Sequence, residues 1–109
     1  MRSKTETETF RVAIERYGEA NQLVVLFEEL SELQKSVCKS IRYNRKSYKD
    51  SIAEEMADVE IMLEQLKMIL DIDEDDIQGW RLDKVCRLQE RLGIADKRVA
   101  PYEDWNHGN

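Results

Sequence analysis

A chain of 109 residues with 41% apolar residues predicts one small domain, with a core modest enough to gain stability from a partner subunit. A formal net charge of −6 argues against wrapping a nucleic-acid polymer, whose phosphates require a basic surface. One Pro, four Gly and abundant Glu, Lys, Leu and Ile leave little strand or turn punctuation, so the expected fold is all-α: a bundle of about four helices with two long antiparallel helices at its centre.

No apolar run approaches the roughly 18 residues of a membrane span, and Met1-Arg2-Ser3-Lys4-Thr5-Glu6 lacks the apolar core of a signal peptide, so no membrane partner and a cytoplasmic location are expected. Cys38 and Cys86 stand singly without C-x-x-C spacing, which predicts buried free thiols rather than a disulfide or zinc site.

In chain order, Thr9 to Tyr17 reads as a short helix with Phe10, Ala13, Ile14 and Tyr17 on one face and Gly18 as its stop. A second helix, Glu19 to Ile41, carries Leu23, Leu26, Leu30, Leu33 and Val37 in the alternating three-and-four spacing that packs helices nearly parallel. A third, Ser47 to Leu70, answers it with Ile52, Met56, Val59, Leu63, Leu66 and Leu70. Its second apolar row, Ala53, Ile61, Met62 and Ile69, calls for contact with several helices or another subunit. Between them, Ser40 to Asp50 is a basic connection, short enough to make the two helices antiparallel neighbours. It reads either as a solvated loop or as a phosphate-contacting one.

The acidic run Asp71 to Asp76 lacks the central Gly and closing Glu of a calcium loop, and Asp73 fits better as the N-cap of a fourth helix. That helix runs to about Leu92 with Ile77, Trp80, Val85, Leu88 and Leu92 as its apolar side and Gly93 as its stop; Gly79 inside it has no evident reason. The helical domain is thus expected over 1–93, and 94–109, with Pro101, Tyr102, Trp105 and His107, as an irregular tail.

Two acid pairs carry the chemistry. Residues three apart share a side of a helix, so Glu29 points with Glu32 and Glu55 with Asp58. Each acid precedes a seam residue, so both pairs are expected to flank the packed seam by the same offset and to converge where the helices meet. Four such carboxylates repel one another, and Mg2+, a hard cation that takes carboxylate oxygens and shares its shell with phosphates, is the simplest counter-ion, with Mn2+ as a substitute. Di-iron bundles need Glu-x-x-His pairs, and the one histidine, His107, is in the tail. Carboxylate-held Mg2+ points to hydrolysis of a polyphosphate. Glu28 and Glu54 adjoin the pairs and could orient water or complete a metal shell, or could be plain surface residues. Lys84, Arg87 and Arg91 line up on the fourth helix and could hold phosphate oxygens, or could form a solvated basic stripe. A single E-x-x-E is most often a solvated face; the doubled, matched pattern leaves a metal site and a plain bundle both open.

The segments Glu28-Glu29-Leu30-Ser31-Glu32-Leu33-Gln34-Lys35 and Glu54-Glu55-Met56-Ala57-Asp58-Val59-Glu60-Ile61 resemble the two signature helices of the MazG-like, all-α nucleoside triphosphate pyrophosphohydrolases. The resemblance runs from about Ile14 to Leu92, includes Asn21-Gln22-Leu23 and Lys84-x-x-Arg87, and is nearest to short phage-type members. It implies Mg2+-dependent cleavage of a nucleoside triphosphate to the monophosphate and pyrophosphate, with Glu29, Glu32, Glu55 and Asp58 as metal ligands and a homodimer or homotetramer as the assembly. Gln22, Tyr43 and Asn44 become candidate base contacts, with helix-cap and loop roles as the alternative. A non-catalytic dimerisation or regulatory module that keeps the fold is the competing expectation.

Overall fold

The computed structural model describes residues 4–94. The fold is all-α as expected: the described residues form α1 (Lys4–Tyr17), α2 (Glu19–Arg42), α3 (Arg45–Leu70) and α4 (Glu74–Leu92), with no strand among them. The expected tail with Pro101, Tyr102, Trp105 and His107 lies outside the described residues. Among those described, no helix is long and apolar enough to cross a membrane. The chain divides into two compact units, Met1–Asp71 and Ile72–Asn109.

In the first unit, α1 begins five residues before the expected Thr9, and the Thr9 hydroxyl donates to the Thr5 carbonyl at 2.8 Å within it. Gly18 closes α1 and opens α2: its N–H donates to the Ile14 carbonyl at 2.9 Å and its own carbonyl accepts from Gln22 N–H at 3.0 Å. It does so at φ 92, a conformation that side-chain-bearing residues rarely adopt. α1 packs on both α2 and α3, and Phe10 is its buried residue.

The basic connection is far shorter than expected. Only Tyr43 and Asn44 lie outside helix, because Tyr43 N–H donates to the Lys39 carbonyl to finish α2 while the Asn44 side chain accepts from Lys46 N–H at 3.0 Å to cap α3. Arg45, Lys46 and Lys49 thereby become the opening turns of a helix instead of a loop. A two-residue link forces antiparallel packing, and α2 against α3 is the dominant contact of the unit. Residues equidistant from the turn face one another, as the Gln22–Gln65 hydrogen bond shows.

The seam is where the structure departs from the expected packing. The α2 row turned toward α3 is Gln22, Leu26, Glu29, Leu33, Ser36 and Ser40, and the α3 row is Ile52, Glu55, Val59, Met62, Leu66 and Ile69, all buried or half-buried. Leu30, Val37, Met56, Leu63 and Leu70, expected inside, are exposed, Leu30 at 43% and Met56 at 49%. The acids therefore do not flank the packed row; Glu29 and Glu55 belong to it. Alternating three-and-four spacing describes two adjacent apolar rows on each helix, and only one of them can face the neighbouring helix. Four of the six inward α2 residues are polar, Gln22, Glu29, Ser36 and Ser40, against Glu55 alone in the α3 row, while the apolar Leu30, Val37, Met56 and Leu63 of the adjacent rows point out.

The buried apolar core is accordingly small: Phe10, Leu26, Val59 and Met62.

Among the described residues, the helix of the second unit is α4. Asp73 caps it as expected, its Oδ1 accepting from Asp75 N–H at 3.0 Å, with Glu74, Asp75 and Asp76 in the first turn favourably placed against the positive end of the helix dipole. Gly93 ends it at φ 71, donating its N–H to the Gln89 and Glu90 carbonyls. The expected apolar side is not the buried one: Trp80, Val85, Leu88 and Leu92 are exposed, while Gly79 and Asp83 are buried. Gly79, which has no rationale in the sequence, thus occupies a buried position. Both cysteines are free thiols, Cys86 half-buried and Cys38 exposed rather than buried, since it points away from the α2 row that packs on α3.

Candidate metal centre

Antiparallel packing of α2 and α3 brings one carboxylate of the first acid pair onto both of the second. Glu29, Glu55 and Asp58 each place an oxygen within 4.8 Å of the others, and all three side chains are half-buried. Glu29 and Asp58 are equidistant from the Tyr43–Asn44 turn, as are Glu32 and Glu55, so the hairpin geometry sets these acids opposite one another. The donor set is purely carboxylate oxygen, with no sulfur or imidazole, which suits a hard cation such as Mg2+ or Mn2+.

The electrostatics show what the cluster costs without a cation. Glu29 is held above the usual carboxylate pKa of 4.5, first by partial burial, then by the Asp58 charge, a hydrogen bond between the two carboxyls, and the charges of Glu55 and Glu32. Glu55 is raised likewise, by loss of solvent first and then by Asp58, Glu32 and Glu54. Carboxyls raised by one another's charge bind a proton more readily than isolated ones, and a divalent cation removes the same repulsion.

The fourth expected ligand stands apart. Glu32 is exposed and pairs with Lys35 at 3.4 Å, one helical turn along from Glu29. An exposed pair at that distance holds the side chain weakly, so turning Glu32 toward Glu55 costs little. Glu54 is exposed beside Glu55, and Glu28 is exposed on α2.

No known protein family matches the chain, and neither does any curated protein or solved structure.

The expected substrate contacts fall in three places. Gln22 is buried in the α2–α3 interface, its Nε2 donating to Gln65 Oε1 at 2.7 Å, while Gln65 Nε2 approaches Met62 Sδ at 3.7 Å. Asn44 caps α3. Lys84 and Arg87 lie on α4 in the second unit, Lys84 with its ammonium 5.8 Å from the Trp80 ring centre and Arg87 paired to the buried Asp83 at 2.8 Å; with Glu90 and Arg91 they line a surface recess.

Gln65, at 4% exposure the most buried polar side chain among the described residues, is an interior polar residue that sequence reasoning missed, as it missed the burial of Ser40 and Asp83. Its signal was present: Gln22 lies one heptad before Glu29 and Gln65 one heptad after Asp58, so each shares the inward side of its helix with an acid, about 10 Å along the axis. Gln22→Ala is expected to cost about 1–3 kcal/mol by leaving Gln65 Oε1 buried without a donor, with Gln22→Leu combined with Gln65→Leu recovering most of it. Denaturant unfolding of the two variants checks this, and a stable Gln22→Ala would return the side chain to the list of substrate contacts.

Proposed function

We propose that the chain is a Mg2+-dependent nucleoside triphosphate pyrophosphohydrolase, releasing pyrophosphate and leaving a nucleoside monophosphate. The observation that carries this reading is the meeting of Glu29, Glu55 and Asp58 across the α2–α3 interface, in a half-buried position where three like charges disfavour one another. A fold that turns carboxylates inward and Leu30 and Met56 outward has arranged its interior around charge rather than around apolar packing.

In this reading Glu29, Glu55 and Asp58 hold the cation and Glu32 swings from Lys35 to join them. Bound there, the cation neutralises phosphate charge and lowers the pKa of an attacking water. Glu54, exposed beside Glu55, is the carboxylate assigned to orienting that water. Lys84 and Arg87 enter the reading through their charge and the sequence resemblance, as does the choice of a nucleoside triphosphate over other polyphosphates. The assembly is a homodimer or homotetramer: the exposed rows of α2 and α3 lie on one side of the hairpin, because one residue's rotation from the packed row turns both antiparallel helices to the same face. Phe27, Leu30, Val37 and Ile41 from α2 there join Met56 and Leu63 from α3, all exposed.

The test is pyrophosphate release from a panel of canonical and modified nucleoside triphosphates, with Mg2+ and with EDTA. Release that EDTA abolishes is the expected result. Folded protein that neither binds Mg2+ nor releases pyrophosphate would leave the helical dimerisation module as the better reading.

A further inference from the structure

The turn between α2 and α3 breaks a local rule that the rest of the chain keeps. From Lys39 to Lys49 the sequence holds five cations, Lys39, Arg42, Arg45, Lys46 and Lys49, and no acid, in a chain of net charge −6. Lys39 and Arg42 sit in the last turn of α2, where cations suit the negative end of the helix dipole. Arg45, Lys46 and Lys49 open α3, where cations oppose the positive end and where no acid stands in the first turn. The other three helices each carry an acid in the first turn: Glu6 in α1, Glu19 in α2, and Glu74, Asp75 and Asp76 in α4.

Intramolecular pairing does not explain the cluster. Ion pairs elsewhere join Lys35 to Glu32, Lys67 to Glu64 and Arg87 to Asp83, whereas among the described residues none of the five turn cations has an acidic partner. An aromatic pair stands among them. Tyr43 and Tyr48 stack with ring centres 6.4 Å apart and planes 29° apart, and Tyr43 is 65% exposed, so the ring face turned away from Tyr48 is open to solvent. The first amides of α3 are already used: Lys46 N–H donates to the Asn44 side chain and Ser47 N–H to the Asn44 carbonyl. An anion at this corner is therefore held by side-chain cations, not by a helix end.

Five unpaired cations beside an open, stacked aromatic face match one kind of partner best. We infer that the Tyr43–Asn44 turn is a docking site for single-stranded nucleic acid, with Lys39, Arg42, Arg45, Lys46 and Lys49 tracking phosphates and Tyr43 receiving a base on its outer face. The chain's net charge excludes wrapping a polymer around the molecule, but not contact at one corner whose local charge is opposite in sign. An acidic polypeptide would satisfy the cations and leave the tyrosine face without a use. The acid cluster plays no part in this inference: it lies 11–14 residues, roughly 17–21 Å, along the hairpin from the turn.

The experiment is fluorescence anisotropy with labelled single-stranded DNA and RNA of about 12 nucleotides, alongside double-stranded DNA and poly-glutamate. Binding to single strands is expected, with affinity falling up to roughly 100-fold between about 50 and 200 mM salt if all five cations engage phosphates, at about 0.7 counterions per contact. Tyr43→Ala should weaken it roughly tenfold. Arg45→Glu with Lys49→Glu should abolish it while leaving the fold intact, since acids at the start of α3 suit the dipole; an unchanged or raised Tm controls for folding. Absence of binding at low salt overturns the inference. So does binding that survives the charge reversal, or poly-glutamate binding as tightly as the oligonucleotides with Tyr43→Ala having no effect, which would make the corner a general acidic-partner site.

Discussion

Asp58→Asn is expected to reduce the proposed Mg2+-dependent pyrophosphate release by about 100-fold or more, since even an outer-shell partner of a bound metal can account for losses of 10–100-fold. The same substitution should stabilise the protein in EDTA. Asp58 is the largest charge acting on both Glu29 and Glu55, so neutralising it relieves both at once. A change that removes activity and raises the metal-free Tm separates a ligand from a residue that merely supports the fold, because loss of a structural contact would lower both. If Asp58→Asn left pyrophosphate release untouched, the acid cluster could not be where the cation is held.

The pH dependence follows with a definite sign. Glu29 and Glu55 titrate above their unfolded value, so the folded chain binds protons more tightly than the unfolded one. Their contribution to stability is therefore lost as pH rises from 4.5 through the raised values, and regained as pH falls back through that window. In EDTA this part of the Tm profile should climb on mild acidification. Saturating Mg2+ should raise Tm at neutral pH and weaken that climb, and Asp58→Asn should reduce it without metal, leaving the part that comes from loss of solvent around Glu29 and Glu55.

What the sequence made legible was the set of helices and the acids, and what it hid was which way they faced. Asp73 and Gly93 announced α4 because caps act through the residue's own side chain or backbone freedom, which need no tertiary context. The acid pairs were readable for a similar reason, since three-residue spacing fixes their common side on each helix. The inward row was not readable. Leu26 and Leu30 are both plausible core residues at helical spacing, and choosing Leu26 means placing Glu29 in the interface, which burial alone disfavours. In the proposed reading a cation would offset the acids and a partner would cover Leu30, and neither is encoded in the local pattern. The basic connection failed differently. Five cations in a short stretch resemble a solvated loop, yet Arg and Lys are good helix formers and Asn44 caps the helix they open. The apolar side expected of α4 was likewise legible as a set of residues, Trp80, Val85, Leu88 and Leu92, but not as an exposed one.

Leu30→Lys combined with Leu63→Lys is expected to convert the proposed homo-oligomer to a 12.9 kDa monomer, read by light scattering after size-exclusion chromatography or by sedimentation. Both side chains are substantially exposed in the single chain, Leu63 at 40%, so a lysine at either place meets water and costs the isolated fold little. In a twofold dimer that joins these faces, each substitution appears twice, which sets four ammonium groups into an apolar contact where Leu30, Val37, Met56 and Leu63 would otherwise exclude water. Fully covering a leucine contributes about 1.5–3 kcal/mol, and burying an unpaired charge opposes that by more, so the combined change is large enough to dissociate any interface centred there. The small core of Phe10, Leu26, Val59 and Met62 among the described residues sharpens the expectation, because an association that buried the exposed apolar rows would add to stability. The wild-type Tm should then rise with protein concentration and the variant's should not. A wild-type chain that sediments as a monomer at tens of micromolar, with a concentration-independent Tm, would mean that a second copy does not cover this face.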